Sequence, residues 1–594
     1  MPRQDRPPAT VSGAGPVCGG WEVWAISAIC SLQRDKAPLL ALSTAWRWRL
    51  ACFALAAGCL VLYLAGAGGY DLLTDDEIRY AEAGRQMLVN DAWIVPEYNG
   101  SPRYQKPILF YWLQALVQGL LGVSAWSARV PTALAGTVVV LLTAHLGRAL
   151  WGERVGFWSG VALAVMVEVV LLARMVMTDV VLLAFLHGGL TCFALAQLTP
   201  DPARRRVRYR GMFLCLSLGV LTKGPIALVL PGLVIVPWLA VRGELRRALR
   251  EARPLEGLAW LLVIAGPWYL LAHFCTGGEF TRTFLVEENI GRFTSTVNLH
   301  RQPALFYLLL LVPMTFPWTG ILPQAIAAGL RHARSGHDFA TAAPRFFVWQ
   351  IVLVLLLFTF SQTKVWTYTL PLFPPLALLI GRWLVEQQDA ERTRATAGRA
   401  CSPLRGPFWL FAAVALTVAL AVTLAPLTVL PVEVRTEELR DALAVGAWLL
   451  VGLSVLLVVL DARARFAVRL GTLVVGAAGW YIVMFALVVP AVDAVWNGPV
   501  RAVARHIRAH PEAFVITYHA HELGLNYHAG IRRVHHWRKG SLERIAAKLN
   551  TPQPVFVLVD PDRLPELAGC RFFVWGESRR FVYGANFPPG DLTP

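Results

Sequence analysis

Charge is scarce in this sequence. Lys, Arg, Asp and Glu make up 16% of its 594 residues, against about a quarter in ordinary soluble domains. That shortage, with 56% hydrophobic residues and a mean hydropathy of +0.51, argues against a single soluble globular chain. The sequence also lacks a Gly-rich phosphate loop ending in Lys-Ser or Lys-Thr, and it has no dinucleotide glycine fingerprint after a strand. The energy for any group transfer must therefore arrive with the donor. No internal repeat relates one half to the other. Its nine cysteines (Cys18, Cys30, Cys52, Cys59, Cys192, Cys215, Cys275, Cys401 and Cys570) show no metal-ligand spacing. Most lie in or beside apolar runs and read as small hydrophobes.

What the sequence has is a long series of apolar runs. They fall at roughly 48–68, 107–123, 128–147, 155–173, 179–198, 211–222, 225–241, 256–274, 303–325, 345–361, 366–385, 407–428, 443–460 and 467–490. Segments of about 17–25 such residues span a bilayer as helices. The fold class expected is a polytopic α-helical membrane protein. The net charge of +17 comes largely from arginines in short loops between runs, which is the signature of cytoplasmic loops rather than of a nucleic-acid partner. Arg204-Arg205-Arg206, Arg246-Arg247, Arg331 with Arg334, Arg392 to Arg399, and Arg463 with Arg465 agree on one side if the N-terminus is inside. Run 107–123 is short and carries Gln114 and Gln118, so it is expected to lie at the interface or to re-enter. About 13 spans remain by this count. Residues 1–45, with no run long enough to span, are expected to be a disordered extension. Residues 46–490 would be the membrane domain, with outer loops 70–106 and 275–302.

The tail, 495–594, reads as a soluble α/β domain on the outer side, the periplasm of a Gram-negative cell. Phe514–Tyr518, Val555–Val559 and Phe572–Trp575 read as strands, and 498–509, 541–549 and 562–568 as helices. His519, His521, His528, His535 and His536 match no closed metal spacing and are expected at the surface.

The same topology gathers polar segments on the outer face. Thr74-Asp75-Asp76-Glu77-Ile78-Arg79-Tyr80 follows the first apolar run directly. In a helix, Asp76, Arg79 and Tyr80 share a face at i, i+3 and i+4. Arg174 to Asp179, Lys223 and Ser361-Gln362-Thr363-Lys364 lie at outer span ends. A charge at membrane depth costs about 2.5–3.5 kcal/mol, so several that converge mark a site. Asp76 and Asp179 are candidate bases. Arg79, Lys106, Arg174 and Arg292 are candidate anion binders, suited to a phosphate or pyrophosphate at the end of a lipid chain.

These residues carry a resemblance. Asp76 to Glu82, Trp93-Ile94-Val95-Pro96, Asn99-Gly100 and Gln105-Lys106-Pro107-Ile108-Leu109-Phe110-Tyr111-Trp112 resemble the first outer loop of the lipid A aminoarabinose transferases and, more distantly, of the protein O-mannosyltransferases. Ser127 to Pro131, Leu221-Thr222-Lys223-Gly224-Pro225, Arg292-Phe293 and Lys364 to Pro371 extend it over about residues 48–390. The resemblance implies a C-type (GT-C) membrane glycosyltransferase that takes a sugar from a polyprenyl phosphate. Its acceptor would be lipid A, another envelope glycan or a protein, and its site would face the periplasm from the bacterial inner membrane. By the same resemblance Asp76 is the base that deprotonates the acceptor, Asp179 a second functional acid, and Arg79 and Lys106 the holders of phosphate. Arg174 and Arg292 would assist them. Glu77, Tyr80, Tyr104, Lys223 and Lys364 would line the pocket.

The chain departs from the pattern at two places. It has Gln105 where aminoarabinose transferases read Glu, and Asn289 where they read His. Those positions are associated with a bound metal, and neutral amides are poor zinc ligands. The expectation is therefore no metal cofactor, and a sugar and acceptor that the resemblance alone does not fix. Two other classes stay open at this point. A flippase of lipid-linked sugars would need related halves and acids at the membrane midplane. A non-catalytic scaffold would leave the C-terminal domain as the working part.

Overall fold

In the computed structural model the described residues are 44–291, 302–303, 305–332, 338–396, 404–424, 436–463, 465–520, 524–538 and 540–589. Arg292, His521, Arg334 and Arg399 lie outside them, as do residues 1–43. The chain forms two compact units, 1–53 and 54–594, and the site lies in the second.

The protein is mostly helical. Among the described residues eight helices are long and apolar enough to cross a membrane, and eleven spans result if each of three bent pairs counts as one. Helix α1 is Thr44–Leu64, α2 Asp75–Asn90, α3 Leu109–Leu121, α4 Ala125–Trp151, α5 Glu153–Ala164, α6 Val167–Ala173, α7 Thr178–Leu198, α8 Pro202–Lys223 and α9 Ile226–Val241. Helix α3 has 13 residues, about 20 Å at 1.5 Å per residue, and does not reach across a core of about 30 Å. Its two glutamines are buried and spent locally: Gln114 donates to Ala128 O at 2.8 Å and Gln118 to Ala81 O at 3.0 Å. Gln118 ties α3 to α2 and Gln114 ties it to α4, and neither amide faces lipid.

The spans are not equivalent. The most apolar part of α7 is 83% buried within the protein, against 17% for Arg405–Leu424. The first is a core helix, and the second turns most of its surface to what would be lipid. The basic loops bind one another: Arg205 pairs with Glu251 and Arg206 with Glu256, and, in a second group, Arg154 pairs with Asp389 and Arg469 with Glu391.

Residues 498–589 form a five-stranded mixed sheet with helices on both faces. Strands β1 (Glu97–Tyr98) and β2 (Ser101–Pro102) make a small hairpin in the first outer loop, so the sheet strands are β3 (Phe514–Tyr518), β4 (His535–Trp537), β5 (Val555–Val559), β6 (Phe573–Glu577) and β7 (Val582–Ala585). Their order is β4-β3-β5-β7-β6. β3 runs parallel to β4 and β5, while β7 is antiparallel to β5 and β6. Helix Gly498–Arg508 covers one face through Val500, Val503 and Ile507, and helix Leu542–Leu549 covers the other through Ile545 and Leu549. Alternation along β3 sends Val515 to the first core and Ile516 to the second, as a two-sided sheet requires. Strands β4 and β7 were not expected from the sequence, and the helix expected at 562–568 is a 3-10 helix, Pro561–Leu567. One histidine differs from expectation. His528 is 5% exposed and sits 3.1 Å from Asp71, so it is an interface residue and not a surface one.

This domain is docked on α2 and the hairpin that follows it. Arg85 of α2 donates to Ile531 O at 2.9 Å, and Gln86 to Arg532 O at 3.0 Å. Asn99 at the hairpin tip exchanges two hydrogen bonds with the backbone of Val534, at 2.9 and 2.6 Å. Buried Glu82 holds Arg85 through paired contacts of 2.7 and 2.8 Å. The domain therefore reads its position from the same helix that carries Asp76.

Candidate active site

The site is built on the start of α2. Thr74 caps the helix in extended conformation, and its hydroxyl accepts from Glu77 N at 3.3 Å. Glu77 reaches back so that one carboxylate oxygen accepts from Leu73 N and Thr74 N, while the other accepts from Val176 N at 3.2 Å. That reciprocal cap ties α2 to the turn that opens α7. Arg129 lies 3.7 Å from Glu77 and donates to the carbonyls of Ala67, Tyr70 and Asp71. With Glu77 buried below, Asp75 and Asp76 are turned outward, their side chains 62% and 51% exposed. Acids in a first helical turn also complement the helix dipole.

Asp75 and Asp76 open on a cavity of about 1070 Å³, at the upper end of ordinary ligand pockets. Its polar end is lined by Asp76, Arg79, Tyr80, Lys106, Asp179 and Lys223. Its other end is apolar, with Leu182, Leu186, Ile226, Leu230, Phe358 and Pro371 between the spanning helices. Arg79 is 3.9 Å from Asp76 and 3.7 Å from Asp75, and Lys106 is 3.7 Å from Glu288. These ion pairs are longer than a hydrogen bond. Lys223 binds Asp179 directly at 2.7 Å, and its ammonium lies 5.6 Å from the Tyr368 ring centroid. Tyr80 is buried, edge-on to Phe110 and beneath the Arg103 guanidinium. Burial first, then the Asp76 carboxylate, pushes its hydroxyl well above the ordinary tyrosine range, so it stays a proton-bearing hydrogen-bond donor.

The structure thus brings together Asp76, Arg79, Tyr80, Lys106, Asp179 and Lys223. It does not bring Arg174, Glu77, Tyr104 or Lys364 to the cavity wall. Arg174 is 1% exposed, donates to Leu62 O at 2.6 Å and Ala65 O at 2.8 Å, and stacks on Phe485. Its fork is occupied by the carbonyls at the end of α1. Glu77 serves the cap. Tyr104 donates to Glu279 at 3.2 Å, and Lys364 donates to Ser361 O at 2.9 Å, which closes its own turn. Arg292 lies outside the described residues. Two polar wall residues, Tyr98 and Arg103, were not singled out in the sequence, and Glu288 lines the wall beside Asn289. Arg103 lies three residues before Lys106 in the same outer loop, and its basic charge there was the available signal. Burial pushes Tyr98 up to about 12. Gln105 and Asn289 both face the cavity, and Asn289 donates to Phe284 O at 2.6 Å.

A cation-bearing lip joined to an apolar slot between membrane helices suits an amphiphile with an anionic head. A family model described as dolichyl-phosphate-mannose-protein mannosyltransferase matches residues 48–275. The undecaprenyl phosphate-alpha-4-amino-4-deoxy-L-arabinose arabinosyl transferase of Aeromonas salmonicida is 30% identical over 412 residues, which is 69% of this chain and 71% of the relative. The corresponding transferase of Pseudomonas aeruginosa is 31% identical over 55% of this chain and 58% of its own length. Among solved structures, ArnT from Cupriavidus metallidurans bound to undecaprenyl phosphate superposes with a TM-score of 0.78 at 21% identity, covering 93% of this chain and all of that one. At that identity the likeness speaks for the fold. The chain belongs to the family of undecaprenyl phosphate-aminoarabinose arabinosyl transferases. It is a multi-pass membrane glycosyltransferase.

Proposed function

We propose that the protein transfers a sugar from undecaprenyl phosphate to a hydroxyl or phosphate oxygen of an envelope acceptor (lipid A, another glycan or a protein). The reaction is placed on the periplasmic face of the bacterial inner membrane. The observation that carries this reading is the single cavity that joins Asp76, Arg79 and Lys106 to an apolar slot between helices. The polyprenyl chain occupies the slot, and the phosphate rests against Arg79 and Lys106. Asp76 takes the proton of the acceptor oxygen. That oxygen attacks the anomeric carbon from the face opposite the phosphate. The bond from the anomeric carbon to the phosphate oxygen breaks, and undecaprenyl phosphate leaves with the bonding pair. Arg79 and Lys106 stabilise the charge that grows on it. Inversion at the anomeric carbon follows. Asp179, held by Lys223, orients sugar hydroxyls beside Tyr80.

The cofactor reading is none. A zinc site at Gln105 and Asn289 would have two neutral amides as its donors. The nearby Glu288 carboxylate faces the Lys106 ammonium. That donor set does not fit the metal, and no step above uses one. Thirteen spans with an outer C-terminal domain remain the topology we favour. The eleven apolar spans, with α8 and α9 added, make that number, and the mutual pairing of basic loops supports their lying on one side.

Deleting the gene and profiling envelope glycans and lipid-linked sugars by mass spectrometry tests the function. One glycan should lose a single sugar while its undecaprenyl-phosphate donor accumulates. Unchanged glycans and proteins alongside a normal donor pool would refute it.

A further inference from the structure

One cation in the cavity wall is not used by the transfer described above. Arg103 follows the outer-loop hairpin and lines the cavity. The other wall cations have carboxylates: Arg79 meets Asp75 and Asp76, Lys106 meets Glu288, and Lys223 meets Asp179. Arg103 has no carboxylate at ion-pair distance among the described residues. Its side chain is fixed all the same. The backbone N–H donates to Pro96 O at 2.8 Å, and Nε donates to the Tyr111 hydroxyl at 2.8 Å. The guanidinium carbon stands 5.3 Å from the centre of the Tyr80 ring. That leaves both Nη nitrogens without a hydrogen-bond partner among the described residues. The residue is only 8% exposed, so this is a buried, oriented guanidinium whose fork is open to the cavity.

A guanidinium withdrawn from bulk water costs free energy unless an anion meets it. A fork of free N–H groups matches a carboxylate in two-point contact. A brace between Tyr80 and Tyr111 would account for Nε and the ring contact, but it needs neither a charge nor an open fork. Position says which anion fits. Arg103 packs on Tyr80, which lies one helical turn from Asp76, so the fork is at the reacting end of the cavity. In the transfer proposed above, Arg79 and Lys106 hold the phosphate. In a pyranosyl uronic acid the carbon that bears the carboxylate and the anomeric carbon flank the same ring oxygen. Such a sugar presents a second anion beside the phosphate. We propose that Arg103 reads a carboxylate on the transferred sugar, and that the donor is an undecaprenyl-phosphate uronic acid. This rests on the transferase reading above and deepens it by naming the class of sugar. The carboxylate lies against the Arg103 fork, which turns the anomeric carbon toward the acceptor oxygen that Asp76 activates. A sugar carrying an ammonium group would meet like charge at the same place.

The test is donor binding to the full chain in nanodiscs of zwitterionic lipid. The probes are glucuronyl and galacturonyl undecaprenyl phosphate, each against the neutral hexosyl compound that carries a hydroxymethyl group in place of the carboxylate. Undecaprenyl phosphate itself is the reference. In at least one pair the uronyl donor should bind about tenfold more tightly or better. Arg103→Gln should erase that preference. Arg103→Lys, which keeps the charge and loses the fork, should retain part of it. Melting curves on the same preparations report whether the variants are folded. Equal binding within both pairs by the unaltered protein overturns the proposal, whether or not the variants fold. So does a preference that survives in folded Arg103→Gln, or an undecaprenyl-phosphate aminoarabinose that binds as tightly as the uronyl donors. A loss in Arg103→Gln shared equally by uronyl donors, neutral donors and undecaprenyl phosphate would make Arg103 a phosphate ligand and overturn it too. Asp76→Asn separates this from the transferase reading: it should keep the uronyl preference while transfer is lost. Protein that binds undecaprenyl phosphate and shows no uronyl preference loses this proposal alone, and protein that binds none of these lipids loses both.

Discussion

Two sets of charges sit around the start of α2, and they are satisfied differently. Arg129 and Arg174 are almost wholly enclosed, and their guanidinium groups donate to backbone carbonyls at 2.5–3.0 Å. Arg79 and Lys106 meet carboxylates at 3.7–3.9 Å at the wall of a large cavity. The first set closes the backbone where α1 ends and the chain turns into α2, because a carbonyl left bare at that depth is expensive. The second set meets its carboxylates at longer range and lines the cavity, and Lys106 also donates to Gln105 O at 3.1 Å. A cation at a span end is thus no mark of a site by itself. What its donors touch decides.

The contrast can be broken by substitution. The largest effect is expected at Asp76. Asp76→Asn should lower the turnover of sugar transfer about 10²–10⁴-fold, with insertion and thermal stability unchanged, checked by transfer assay and melting curve on the same preparation. Next comes Arg174→Gln, which strips the buried Leu62 carbonyl of its donor at about 1–3 kcal/mol and also frees the part-buried Ala65 carbonyl. It should lower the melting temperature markedly and leave the donor KM of the folded fraction unaltered. A raised donor KM with unchanged stability would return Arg174 to the site. Lys106→Gln should do the opposite. Loss of a charge-assisted contact worth about 1.5–3 kcal/mol raises donor KM about tenfold or more, with little change in melting. The smallest effect is expected at Asn99→Ala. It removes two bonds to Val534 and should cost about 1–2 kcal/mol of domain docking, read as faster hydrogen exchange in 524–538.

Much of this was legible in the sequence, for local reasons. Apolar length is a property of a segment by itself, so the spans announced themselves. Asp76, Arg79 and Tyr80 share a face by helical spacing alone. Asp179, Lys223 and Lys364 stood out as charges at span ends, and Lys106 as a cation of the loop 70–106. The assignment of Arg174 was not legible, because its partners Leu62 and Ala65 lie 112 and 109 residues away and are carbonyls that every residue possesses. Glu77 looked like a third pocket acid, yet Thr74 three residues before it was a readable cap signal. Strand β4 escaped because His535-His536-Trp537 is polar and short, and it pairs at an edge. The seat of the C-terminal domain was hidden for the same reason as Arg174. Arg85 meets Ile531 across 446 residues, through backbone carbonyls again.

The most direct test of the central claim is the stereochemistry of a single turnover. Purified enzyme is given an undecaprenyl-phosphate sugar labelled at the anomeric carbon together with acceptor, and the product is read by NMR. Direct displacement at the cavity predicts one undecaprenyl phosphate released per sugar transferred and inversion of the anomeric configuration. Retained configuration, or a lipid-linked sugar recovered with its phosphate bond intact, would contradict the account.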